Sequence, residues 1–327
     1  MKSWKKFLAV SVAASSLFIA SPADAAYQLN EEVANPPAAL QMATQIGVLK
    51  YENPSMMNAA NKDAIVVLSF GTTFPDQRAK AIDATAKAIA DAHPNAKVVT
   101  AFTSHIVIKH IIENEGKCDY MTPEQTLDQL KREGYTRIAL VSLSVIPAME
   151  YKYDVALFHE YKTQFKKMTL GTPLMYWQGQ EEQRDDVMQV MQSLHLPAYK
   201  KGTAILLMAH GTPDPSNAYY SVMQNKLRAM KRDDVHIYTV EGWPRLDDWA
   251  GKLKMHKVEK IILIPLMMVA GDHANNDMAG DEEDAHKVIL EKMGFKVEAK
   301  LQGLGENKRI RDIFVERANE AWDALTK

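Results

Sequence analysis

The two halves of the 327-residue chain carry the same pattern. Ala64-Ile65-Val66-Val67-Leu68-Ser69-Phe70-Gly71-Thr72 matches Ala204-Ile205-Leu206-Leu207-Met208-Ala209-His210-Gly211-Thr212 position for position. Each is an apolar run without polar alternation, as expected of a parallel strand covered by helices on both faces, and each ends where Gly-Thr lets the chain turn. A second match follows, Ile138-Ala139-Leu140-Val141-Ser142-Leu143 against Ile261-Ile262-Leu263-Ile264-Pro265-Leu266. A chain repeated in this way is expected to fold as two related lobes.

Strand-like runs at 64–70, 97–102, 137–143, 169–175, 203–209, 236–240, 260–268 and 296–301 alternate with helical patterns. Those patterns fall at 76–92, 104–115, 123–133, 151–167, 181–194, 217–231, 244–256, 281–293 and 307–325. Such alternation implies right-handed βαβ units and mostly parallel sheets. The expected fold class is α/β, with an N-terminal lobe over 62–190 and a C-terminal lobe over 191–327. Local signals agree: Thr122-Pro123-Glu124-Gln125 offers a capping threonine, a proline at the first helical position and a glutamine three residues after the cap, and Gly134 stops that helix.

Residues 26–61 read as an N-terminal extension packed on the first lobe, with a helix at 38–49. Residues 1–25 read as a cleavable signal peptide, because Lys2, Lys5 and Lys6 precede the apolar run 7–20, and Ala23-Asp24-Ala25 puts small residues where a signal peptidase reads. The apolar run is shorter than the ~20 residues needed to span a bilayer, and no later segment reads as a transmembrane helix. The expected location is the periplasm. Removing residues 1–25 takes away three lysines and one aspartate, which moves the net charge from −2 to −4. Short runs such as Lys166-Lys167 and Lys200-Lys201 do not make a basic face, so no nucleic-acid partner is expected. Cys118 is the single cysteine, so packing rather than an internal disulfide must hold the fold.

The stretch Val269-Ala270-Gly271-Asp272-His273-Ala274-Asn275-Asn276-Asp277-Met278 follows a buried-strand pattern and therefore lies at a strand's carboxyl end, where open α/β sheets bind ligands. His210 ends the second lobe's first strand, where Phe70 stands in the first. Continuing the second match sets Glu150 against His273 and Asp154 against Asp277. Across an approximate two-fold axis Glu150 can face His273, and His210 can join them. Two neutral imidazoles and a carboxylate suit a divalent transition metal, and only three protein ligands would leave positions open for exchange. Asp272 and Asp277 either orient His273 or serve as turn and helix-terminal carboxylates. Met267, Met268 and Met278 either line an apolar face for a flat ligand or fill the core. Glu241, after another strand end, is a pocket candidate or a cap, and His105 and His110 start a helix that can approach the cleft. No G-x-G-x-x-G or P-loop pattern accompanies the Gly-Thr turns, and no nucleophile elbow surrounds Ser69, Ser142 or Ser144, which disfavours nucleotide binding and serine hydrolysis.

At Ser69-Phe70-Gly71-Thr72, Ala101-Phe102-Thr103-Ser104, Glu150-Tyr151, His210-Gly211, Glu241, 266–278 and Gly303-Leu304-Gly305-Glu306-Asn307 the sequence resembles the class II tetrapyrrole chelatases. It is closely similar there to the anaerobic sirohydrochlorin cobaltochelatase family, over roughly residues 62–325. The resemblance implies two lobes, each with a four-stranded parallel sheet flanked by helices, and a tetrapyrrole between them. It implies His210, His273 and Glu150 as metal-binding residues, His210 also accepting protons; Glu241, Met268 and Asp272 stand by their positions as candidates for substrate contact. Co²⁺ is then the substrate metal, with Fe²⁺ or Ni²⁺ as alternatives. Its insertion releases two protons in cobalamin biosynthesis, and no permanently bound cofactor is expected. An export signal on such a body raises a second expectation, a periplasmic carrier of metal or haem without catalysis. Either reading allows a homo-oligomer.

Overall fold

The computed structural model describes residues 29–327 apart from 31, 181 and 182, so the expected signal segment lies outside the described residues. Nine strands form two sheets: β1 Leu49–Glu52, β2 Asp63–Ser69, β3 Lys97–Phe102, β4 Arg137–Ser142 and β5 Lys167–Leu170 in the first, and β6 Thr203–Ala209, β7 Val235–Thr239, β8 Lys260–Pro265 and β9 Lys296–Ala299 in the second. The orders are β1-β5-β4-β2-β3 and β7-β6-β8-β9. Apart from β1, both sheets are parallel and run in the same order, second crossover strand first.

The internal repeat is preserved residue by residue. Ala64 pairs with Ile138 in the first sheet, and their counterparts Ala204 and Ile261 pair in the second. Residues 64–69 and 204–209 are all buried. Each fully covered Val, Leu or Ile there contributes roughly 1.5–3 kcal/mol relative to exposure, so the matched strands form the centre of each sheet. The expected cap is also present: Thr122 and Gln125 form a reciprocal capping box, and Gly134 ends the turn with φ +79°.

Three expectations change. The helix at 38–49 stops at Ala43, and Leu49-Lys50-Tyr51-Glu52 pairs antiparallel with β5, Leu49 opposite Leu170. The extension thus gives the first sheet a fifth, edge strand. The run 260–268 leaves the sheet at Pro265, and 169–175 leaves it after Leu170. Finally, the end of the C-terminal lobe does not stay on that lobe. The last helix, Lys308–Thr326, packs on β4, β5 and the helix Ala84–Ala92. Its fully buried Arg317 donates to Asp186 and Glu320, and Asp186 also accepts from Arg184. The two lobes consequently share one apolar core.

Candidate metal centre in the interlobe cleft

Both matched strands end in a turn that only glycine adopts easily: φ is +90° at Gly71 and +88° at Gly211. The turn leaves the preceding residue, Phe70 or His210, at the carboxyl edge of its sheet. The neighbouring strand then passes close by. The N–H of Ser104 donates to the carbonyl of Phe70, and in the second lobe the N–H of Glu241 donates to the carbonyl of His210 at 2.8 Å. Glu241 is therefore the repeat counterpart of Ser104, and the sheet register itself places its side chain beside His210. Ser104 caps the helix His105–Glu115.

His210, Glu241 and His273 offer ligand atoms that all lie within 4.8 Å of one another. The two imidazoles meet edge to face, with centroids 4.9 Å apart and planes at 79°. Nδ1 of His210 lies 2.9 Å from the carbonyl of Gly211, and Nδ1 of His273 lies 2.5 Å from a carboxylate oxygen of Asp277. A carbonyl and a carboxylate can only accept, so each Nδ1 is the donor, and in the neutral ring this tautomer leaves the Nε2 lone pair free for a ligand. A carboxylate holding a histidine in this way also raises its basicity as a ligand.

The carboxylate in this group is Glu241, whereas the expected third member was Glu150. Glu150 stands in the first turn of the helix Met149–Tyr161 and lines the adjoining cavity from the first lobe, outside the three-residue group. The sequence contained the signal for Glu241. Extending the repeat to β3 and β7 pairs 103–104 with 240–241 and sets Glu241 next to His210.

The cavity measures about 460 Å³, within the range of small-molecule sites. Its walls come from both lobes: Ser69–Thr73 and the 143–150 segment on one side, His210, Gly211, Tyr220 and the 266–273 segment on the other. Of the candidates for substrate contact, Met268 and Asp272 line it and Glu241 does not. Met267 lines it as well, while Met278 is buried in the second lobe's core. Asp277 orients His273, and Asp272 instead accepts from Asn276 at 2.7 Å. Asn275 closes the turn by donating to the carbonyls of Ala270 and Gly271. His110 lines the cavity and His105 does not.

Two carboxylates near the cleft differ sharply. Burial pushes Asp154 up to about 7; the Ser142 hydroxyl opposes that rise and nearby Glu150 adds to it. Hydrogen bonding from Lys152 holds Asp214 down at about 2. Tyr220, whose hydroxyl accepts from the N–H of Gly211 at 3.2 Å, is pushed by burial to about 12 and stays neutral.

Paired parallel-sheet lobes whose strand ends bring two imidazoles and a carboxylate to the wall of a shared cleft define a metal-handling α/β protein of the chelatase fold. The SirB chelatase of Bacillus subtilis, solved with Fe³⁺, has that fold with a TM-score of 0.54 at 14% identity, over 80% of this chain and 95% of its own. The family model described as cobalt chelatase (CbiK) matches residues 63–323, and the chain belongs to that family. The sirohydrochlorin cobaltochelatase of Salmonella typhimurium is 34% identical over 262 residues, 80% of this chain and 96% of the relative. Sirohydrochlorin cobaltochelatase CbiKC of Nitratidesulfovibrio vulgaris is 32% identical over 235 residues, 71% of this chain and 81% of the relative. Among the described residues, no helix is long and apolar enough to cross a membrane.

Proposed function

We propose that this protein is a sirohydrochlorin cobaltochelatase, inserting Co²⁺ into the tetrapyrrole with release of two protons, a step of cobalamin biosynthesis. The carrying observation is the convergence of His210, Glu241 and His273 at the edge of a cleft whose other wall belongs to the second copy of the same fold unit. Two family relatives with that activity in their names support the choice of substrate.

Metal insertion needs a site that holds the ion incompletely. Co²⁺ must exchange water for four pyrrole nitrogens, and a full protein cage would not release it. The Nε2 atoms of His210 and His273 and the Glu241 carboxylate supply three ligands and leave the cleft-facing positions to water and then to the macrocycle. As the ion passes to the macrocycle, His210 regains a free Nε2 and can accept one departing proton. Glu150, on the opposite wall, is a carboxylate placed to accept another. Met267, Met268 and Phe70 give the cleft apolar surface for a flat ring.

The test is metallation of sirohydrochlorin by the purified protein with Co²⁺, followed by absorbance, with Fe²⁺ and Ni²⁺ in parallel. His210→Ala and His273→Ala should each slow the reaction at least ~100-fold, the scale of a lost acid–base or ligand group. Full activity in both variants would overturn the assignment. The N-terminal charge and hydropathy pattern supports export of the chain to the periplasm, which N-terminal sequencing of the protein recovered from that compartment checks. Export also supports the second reading, a carrier. Tight binding of the tetrapyrrole or metal with no metallation above the uncatalysed rate would establish the carrier instead.

A further inference from the structure

Of the basic residues that follow the strand ends of the first lobe, Arg78, Lys80 and Lys109 are engaged within that lobe. Arg78 is buried and makes a two-oxygen bond with Glu115, while Lys80 and Lys109 pair with Asp76 and Glu113 one helical turn away. Lys152 differs. It lies two residues beyond Glu150 and pairs with Asp214, three residues beyond Gly211 in the other lobe.

This contact has a pseudo-symmetric counterpart. The segment after β6 meets the segment after β4 through Asp214 and Lys152; the segment after β2 meets the segment after β8 through Gln77, whose Oε1 accepts from the N–H of Ala270 at 3.2 Å. On that second side the lobes are in close contact: a Cβ added at Gly271 would come 3.2 Å from Thr72 Oγ1, and one at Gly305 would come 2.9 Å from the carbonyl oxygen of Ala81. On the other side Lys152, with its side chain 57% exposed, pairs with Asp214, which is 8% exposed, and Tyr219 and Lys226 on the following helix bond to Tyr176 and Asp185. The exposed lysine can exchange this partner for water or another anion, because a pair with one solvated member contributes little net stability. One side of the cleft is thus closed by tight packing, and the other carries a cation whose head reaches solvent.

We propose that Lys152 binds a carboxylate of the tetrapyrrole substrate, and that Asp214 holds it in place from the other lobe until a substrate carboxylate takes over. The inference rests on the tetrapyrrole reading above, whose substrate presents several carboxylates around its rim. Asp214 is well suited to the holding role. Its Oδ1 accepts from the N–H of Ser216, and its Oδ2 alone receives Lys152. Asp214→Asn therefore keeps the turn and removes the charge that competes with substrate.

The experiment is a titration of metal-free sirohydrochlorin into the full protein, read by the tetrapyrrole's own fluorescence. Lys152→Met should weaken binding about two- to five-fold, as expected for one exposed charge pair. Lys152→Arg should restore most of it. Asp214→Asn should tighten binding by a similar factor, and in the Lys152→Met background it should do nothing. An ion pair that only clamps the lobes together gives the opposite pattern, both single substitutions moving affinity the same way. That pattern, or no shift in either variant while the wild type binds and metallates, overturns this inference and leaves the tetrapyrrole reading intact. A wild type that neither binds nor metallates sirohydrochlorin overturns both.

Discussion

His273 and Asp277 stand one helical turn apart, and Asp277 accepts the Nδ1 proton of His273. Their repeat counterparts, Glu150 and Asp154, keep the spacing without the imidazole, and Asp154 is buried with one carboxylate oxygen lacking a partner. The same backbone arrangement therefore orients a ligand in one lobe and buries a partly unpartnered carboxyl in the other. Asp277→Ala should weaken Co²⁺ binding about 10- to 100-fold while leaving the fold intact, the usual scale for losing the partner of a metal-binding histidine. Isothermal titration with Co²⁺ alone checks this, and unchanged affinity would show that His273 needs no such support.

Two carboxylates compete for the third ligand position, and geometry separates them. Glu241 lies within reach of both imidazoles, and Glu150 lines the opposite wall. Glu241→Gln should cost at least ~10-fold in Co²⁺ affinity, whereas Glu150→Gln should bind Co²⁺ as the wild type does and lose metallation rate. Reversed effects in the two titrations would return Glu150 to the metal.

Much of this was legible because the repeat is written in strand patterns. The strands 64–69 and 204–209 are buried on both faces, so their side chains cannot vary freely, and the register of their partners survived with them. The positions of His210 and His273 at strand ends are legible from the apolar runs, whereas the sequence leaves Asp277 open between supporting His273 and ending a helix, and Met268 open between cleft and core. Glu241 was harder to rank, since its position depends on a hydrogen bond between neighbouring strands rather than on a local motif. The short edge strand Leu49–Glu52 was hidden because a helical pattern runs into it from Ala38 and four residues carry little periodic signal. The crossing of the last helix to the first sheet left no local trace either: amphipathic periodicity says that one face is buried, not which sheet buries it.

Asp154 gives a pH test with a defined sign. Burial raises its carboxyl from the ordinary range near 4 to about 7. Between those values the folded chain holds a proton that the unfolded chain has lost, so stability falls as pH rises through this window, by at most about 1.4 kcal/mol per unit. The contribution is fully present below pH 4 and gone above pH 7. Asp154→Asn removes the dependence. Denaturant unfolding at pH 5 and pH 8 should show the variant gaining on the wild type by a few kcal/mol at the higher pH; parallel curves would mean that Asp154 stays ionised in the folded protein.

The turn at Gly211 ties stability to chemistry. Its φ of +88° disfavours any side chain, and an added Cβ would lie 2.4 Å from the Gly242 nitrogen and 2.8 Å from the Glu241 carbonyl carbon. Those neighbours are backbone, so they must move as a unit, and the peptide that moves carries Glu241. At Gly71 the same substitution meets the ring of Phe102 at 2.5 Å, a side chain remote from the imidazole pair. Both Gly71→Ala and Gly211→Ala should destabilise the fold by about 1–3 kcal/mol. Only Gly211→Ala should also lose Co²⁺ affinity, by displacing Glu241 from His210 and His273. Thermal melts paired with Co²⁺ titrations separate the two effects; equal metal affinity in both variants would show that the turn holds the strand end but does not set the metal geometry.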